Sequence, residues 1–149
     1  MRYSTQDKQQ FAIFGPFFAQ IFLTIGVWIY MYIRRIHFIT SHKLKLDGNG
    51  RPEDFYRSMP VSVNLPSDNL KNLFEMPVLF YAITLYLFVT NQVDGSYVLA
   101  GWIYVFFRIC HSLMHCTLNI IMVRFYLYVF SCFTLFYMIF RSMCVYYLS

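Results

Sequence analysis

The sequence predicts an all-α integral membrane protein: a bundle of four transmembrane helices forming a single domain over residues 1–149. Three observations predict it. Hydrophobic residues make up 58% of the chain and charged residues 13%, about half the ~25% charge of a soluble domain. The apolar residues fall in long blocks. Blocks of about 20 residues fit spanning helices, whereas alternation over about ten would have indicated an outer-membrane barrel. Finally, there are four such blocks, at about 11–33, 70–90, 97–118 and 125–147.

Phe11 to Ile33 carries no charge and ends at Arg34 and Arg35. Gly15 and Pro16 sit near its start, where proline is tolerated in a helix. The run is longer than a signal-peptide core and no small-residue cleavage site follows it, so it reads as a retained helix. Residues 34–69 form the one long polar stretch, with Asp47, Gly48, Asn49 and Gly50 followed by Pro52, Pro60 and Pro66. These turn and breaker residues predict a loop on the membrane-proximal surface.

The uncharged part of the second block, Met76 to Thr90, is about 15 residues, or ~22 Å, and is too short for a ~30 Å core. The helix must therefore begin near Asn69 or Leu70, with Ser67 and Asp68 as N-cap candidates. That start places Asn72 and Glu75 inside the helix, near the membrane surface. The third block follows a short turn around Gly95 and carries Arg108, His111 and His115. Asn119 and Arg124 are the interruptions before the fourth block, so a tight turn is expected there.

Lysine and arginine counts set the expected orientation. Arg34, Arg35, Lys43, Lys45, Arg51 and Arg57 lie in the first loop, with Lys71 at its edge and Arg124 in the third turn. The other side has Arg2, Lys8 and Arg141. Both termini should thus face away from the cytoplasm, with loop 34–69 cytoplasmic; in a bacterium the membrane would be the inner, plasma membrane. This clustering accounts for the net charge of +5 by topology, and no nucleic acid is expected as a partner. Cys110, Cys116, Cys132 and Cys144 lack metal-finger spacing and read as small buried hydrophobes.

Arg108, His111, Ser112, His115 and Asn119 fall at i, i+3, i+4, i+7 and i+11, one stripe of the third helix. Asn72 and Glu75 share a face of the second. A charge at membrane depth costs at least ~2.5 kcal/mol and normally faces a partner or a wet cavity, which makes Glu75 the expected partner of Arg108. Four roles are open to the patch: interhelical glue, a binding pocket, a metal or haem site on His111 and His115 with Glu75 as third ligand, and a proton relay. The run His-Ser-Leu-Met-His lacks the glutamate of HExxH, and no metal is assigned. The aromatic stripes of the fourth helix read as packing or lipid-facing, except Tyr128, one turn beyond Arg124.

The segment Asn72-Leu73-Phe74-Glu75-Met76-Pro77, then Arg108-Ile109-Cys110-His111-Ser112, then Arg124 and Tyr128, resembles the MAPEG family, the membrane-associated proteins of eicosanoid and glutathione metabolism. The motifs cover roughly 65–141, and the likeness is to the bacterial branch. The resemblance implies a homotrimer that binds glutathione between adjacent subunits near the cytoplasmic helix ends. Asn72, Glu75, Arg108 and His111 match residues that line or support that site, and His115 stands on the same stripe. Arg124 matches the catalytic arginine facing the glutathione sulfur. Tyr128 matches a tyrosine that helps hold the tripeptide, and Arg34 or Arg35 a basic residue closing the first helix.

Three positions depart from the eicosanoid enzymes: Lys71 replaces a frequent arginine, His115 a usual tyrosine, and Phe125 a hydroxyl residue of the prostaglandin synthase. These argue against prostaglandin-type isomerisation. The implied function is a glutathione-dependent transferase or peroxidase acting on a hydrophobic small molecule from the membrane lipid. The alternative is a non-catalytic scaffold, or an accessory subunit of a larger membrane complex.

Overall fold

The computed structural model describes residues 5–42, 56 and 59–148. Among the described residues six helices are defined over their full length: α1 Thr5–Phe11, α2 Phe14–Ser41, α3 Val61–Leu73, α4 Met76–Val89, α5 Gly95–Cys116 and α6 Ile121–Leu148. Among the described residues four stretches are long and apolar enough to cross a membrane: Asp7–Ser41, Val61–Val89, Gly95–Cys116 and Ile121–Leu148. Each agrees with one of the four expected blocks.

The ends of the helices differ from the expectation for identifiable reasons. The first is not over at Ile33, because α2 continues through Arg34 and Arg35 to Ser41. Those arginines end the apolar run, but arginine is a good helix former and nothing between them and Ser41 breaks a helix. The expected loop 34–69 is correspondingly shorter: residues 34–41 and 61–69 are helical. The turn residues 47–50 and Pro52 lie outside the described residues.

The second crossing begins at Val61 after Pro60, so Ser67 and Asp68 are not its N-cap. Pro66 lies inside α3. A proline there withholds its N–H from the carbonyl four residues back, which is that of Ser62. Arg34 Nη2 donates to that carbonyl at 3.0 Å. An arginine of the first helix thus completes the hydrogen bond that Pro66 cannot make. Close by, Arg35 Nη2 donates to Ser67 Oγ at 3.1 Å, and Tyr56 donates to Asp68 Oδ1 at 2.6 Å. Burial, reinforced by that Asp68 bond, pushes the Tyr56 hydroxyl up to about 12.

The same crossing is broken at Phe74 and Glu75. Pro77 stands at the start of α4 and cannot serve the carbonyl of Leu73. Glu75 takes a non-helical conformation, φ −95° and ψ −100°. Two asparagines adopt left-handed backbone where glycine would be usual, Asn91 at φ 56° and Asn119 at φ 50°. Asn91 ends α4, and Gln92 N reaches back to Leu87 O at 2.9 Å, the 6→1 bond of a Schellman ending. Asn119 makes the tight α5–α6 turn without Gly or Pro.

α5 is the central helix. In its apolar window 44% of residues are buried, against 22–28% in the other three crossings. The core joins Ile13, Phe80, Leu87, Ala100, Tyr104, Leu135 and Met138, with Phe80 stacked on Tyr104 at 4.4 Å between centroids. Around it, Phe18, Leu79, Phe133 and Phe140 point outward, as suits helices solvated by acyl chains. Of the cysteines only Cys132 is buried; Cys110 and Cys116 are half-buried and Cys144 is exposed, because the outer faces of these helices need no water-avoiding interior.

At the far end from α3, Asp94 caps α5 by accepting from Tyr97 N at 3.0 Å. It also pairs with Arg141 of α6, whose Nη1 is 2.9 Å from Oδ1. The Arg141 hydrogen bond holds the Asp94 carboxyl below its ordinary range. The pair therefore stabilises the fold fully above the unfolded carboxylate value of about 3.9, and loses that contribution as pH falls through the lower folded value. Asp94→Asn keeps a good N-cap and removes the ion pair. It should cost about 1 kcal/mol at pH 7, the pair being over a third exposed at Asp94 and so partly screened. Thermal unfolding in detergent should show the gap between variant and wild type closing as pH falls below the ordinary carboxylate range. A gap independent of pH would mean that the carboxylate charge contributes nothing.

Candidate functional site

The polar stripe of α5 turns inward. Arg108 is 0% exposed, His111 2% and His115 3%. The stripe meets the end of α3 on one side and the first turns of α6 on the other.

Arg108 does not pair with Glu75. Its Nη2 donates to the backbone carbonyl of Asn72 at 2.6 Å, and Glu75 is exposed. The break in the second crossing explains both facts. Asn72 lies in the last turn of α3, whose carbonyls lack intrahelical partners and form the negative end of the helix dipole. The guanidinium caps that end, while the non-helical backbone at Glu75 carries its carboxylate away. Arg108 Nε and Nη1 have no protein partner. The guanidinium lies 5.3 Å from the centroid of Tyr128.

His111 Nδ1 lies 2.8 Å from the carbonyl of Arg124. A carbonyl only accepts, so Nδ1 carries the proton, and in the neutral ring Nε2 is the acceptor. Nε2 is buried without a protein partner, as is His115 Nδ1. The two imidazoles are 5.6 Å apart, and Tyr128 is 5.8 Å from His111. Arg124 is half-buried in the first turn of α6 and donates to Asn119 Oδ1 at 2.7 Å. A cation there opposes the positive helix end, so helix stability does not account for it. Together the helix end and the guanidinium favour an anion.

The fold thus gathers Asn72, Arg108, His111, His115, Arg124 and Tyr128, leaves Glu75 at the edge, and turns Arg34 and Arg35 onto α3. The ligand set His111, His115 and Glu75 is not assembled: among the described residues no group of three His, Cys, Asp or Glu could hold a metal ion.

Among the buried polar residues to which sequence reasoning gave no role, three stand out. Tyr104, one turn before Arg108, is 0% exposed with an unpartnered hydroxyl; its place on the same stripe was the available signal. Asn69, one turn before Asn72, is buried and links Ser112 and Cys116, both at 3.5 Å. Gln20 is buried with neither amide atom partnered, and its lone polar position inside the first apolar run could have flagged it.

Comparison with curated proteins and with solved structures gives no match. Comparison with protein families matches residues 13–144, nearly the whole chain, to the MAPEG family. With four membrane crossings in the same chain, this makes it a multi-pass integral membrane protein that belongs to the MAPEG family.

Proposed function

We propose that the protein is a glutathione-dependent membrane enzyme, assembled as a homotrimer, that conjugates an apolar electrophile or reduces a lipid hydroperoxide. The observation that carries this reading is Arg108. A cation fully buried at membrane depth, with one protein acceptor and two unpartnered nitrogens, is costly unless an anion joins it. Glutathione supplies carboxylates, and charge-assisted bonds to them are the strong kind. Asn72, His111, His115 and Tyr128 complete the donor and acceptor set around it. Glu75 at the edge suits the ammonium group, and one of Arg34 and Arg35 would come from an adjacent subunit.

Arg124 stabilises the thiolate. A cation beside sulfur at a helix N-terminus lowers a thiol pKa, and a shift of two units corresponds to about 2.7 kcal/mol. In conjugation the sulfur forms a bond to carbon while the leaving group takes the electron pair. In peroxide reduction two glutathiones become a disulfide while the hydroperoxide becomes alcohol and water. The positive loop residues orient the site toward the cytoplasm, with both termini on the other side.

The test is glutathione binding to the detergent-purified protein, read by thiolate ultraviolet difference absorbance. Wild type should show the thiolate band at pH 7. Arg124→Ala should bind glutathione but raise its thiol pKa by about two units, losing the band. Absence of binding at millimolar glutathione would favour the second reading, a non-catalytic scaffold or accessory subunit. That reading has its own support, because Arg108 to Asn72 and His111 to Arg124 also join three helices.

A further inference from the structure

A groove of about 470 Å³ runs between α2 and α5, lined by Phe22, Gly26, Val27, Tyr30, Ser112 and Cys116 among others, and by none of Arg108, His111, Arg124 or Tyr128. From Phe22 to Tyr30 it follows α2 for ~12 Å at about 1.5 Å per residue. Its walls are apolar for most of that length. Gly26 forms part of the floor, and a Cβ built there would meet nothing within 4 Å. The glycine therefore serves no close helix contact within the chain; it leaves space.

One end of the groove is cationic. Arg34 Nη1 donates to the hydroxyl of Tyr30 at 3.3 Å, a residue of the groove wall. Its guanidinium thus stands at the loop-side end of the groove, one turn beyond Tyr30. Its hydrogen bonds within the described residues go to neutral oxygens, Tyr30 Oη and Ser62 O. Among the described residues the ion pairs are Lys71–Asp68 and Arg141–Asp94, so no carboxylate among them answers Arg34. Arg35 adds a second positive charge one residue on.

We propose that this groove holds an anionic phospholipid, with an acyl chain along α2 and α5 and its phosphate on Arg34. The charge selects the ligand. A zwitterionic headgroup returns an ammonium to the same mouth, whereas a guanidinium meets a phosphate through two parallel hydrogen bonds. Basic pockets between transmembrane helices near one membrane surface recognise anionic headgroups in this way. The site is separate from the Arg108 cluster, and it leaves Arg35 as the arginine available to glutathione.

Native mass spectrometry of the detergent-purified protein, after exchange with equimolar phosphatidylglycerol and phosphatidylcholine, tests this. Wild type should retain phosphatidylglycerol at least tenfold over phosphatidylcholine. Arg34→Gln, which keeps a donor for Ser62, should bring the two within twofold. Gly26→Leu fills open space, so it should lose both lipids while keeping its helix content and glutathione binding. Equal retention of the two lipids by wild type would overturn the proposal, as would undiminished retention in Gly26→Leu. So would a fall in oligomeric state in Gly26→Leu, which would show that a second copy covers the groove. The readout is lipid, so its failure is distinguishable from failure of the glutathione assignment.

Discussion

Arg108→Met should weaken glutathione binding by at least a hundredfold and leave the fold about as stable as wild type. The two effects have different sources. Against the fold, the substitution removes one charged hydrogen bond to Asn72 O, worth ~1.5–3 kcal/mol. In favour of the fold, it removes a fully buried cation, and replacing buried charge by an apolar side chain of similar volume is often neutral or stabilising by ~1–4 kcal/mol. The terms are of equal size, so little net change is expected.

Binding has no such compensation. Two unpartnered guanidinium nitrogens are available to a carboxylate, and losing two charged hydrogen bonds at ~1.5–3 kcal/mol each gives the hundredfold or more. Thermal unfolding and glutathione titration of the same preparation check both halves. A loss of stability beyond about 3 kcal/mol with glutathione binding intact would make Arg108 interhelical glue.

Gly101→Leu should be the most destabilising single substitution at the α2–α5 crossing. A Cβ at Gly101 would lie 2.9 Å from Cγ of Pro16 and 3.3 Å from its Cβ. A proline ring cannot rotate aside, and Pro16 is fixed in the first turn of α2. Close approach of two helices through a small residue is the usual means of association where lipid removes the hydrophobic driving force. Overpacking at such a point costs ~3 kcal/mol or separates the helices. Gly26→Leu, made in the same helix pair where nothing lies within 4 Å, is the matched control and should leave thermal unfolding unchanged. Equal effects of the two would mean that the Pro16 contact does not limit packing.

The four crossings were legible because apolar block length is a direct reading of bilayer thickness. The inward stripe of α5 was legible because its polar residues share one helical face. Helix ends were not, since charge marks where an apolar run stops and says nothing of whether the backbone continues; α2 passing through Arg34 and Arg35 is that case. Pro66 misled for a related reason: its cost depends on whether a distant donor can reach the carbonyl it strands, and Arg34 belongs to another helix. The Glu75–Arg108 pairing failed because residue spacing assumes one continuous helix from Asn72 to Glu75. The break before Pro77 rotates the carboxylate out of the shared face.

That break gives the second crossing a joint. On the loop side, α3 holds Arg108 through Asn72 O and is tied in turn to α2 by Arg34 and Arg35. Beyond the joint, α4 is held by Phe80 and Leu87 in the core. The two halves of one crossing are thus anchored to different neighbours, so a shift of α3 need not carry α4 with it.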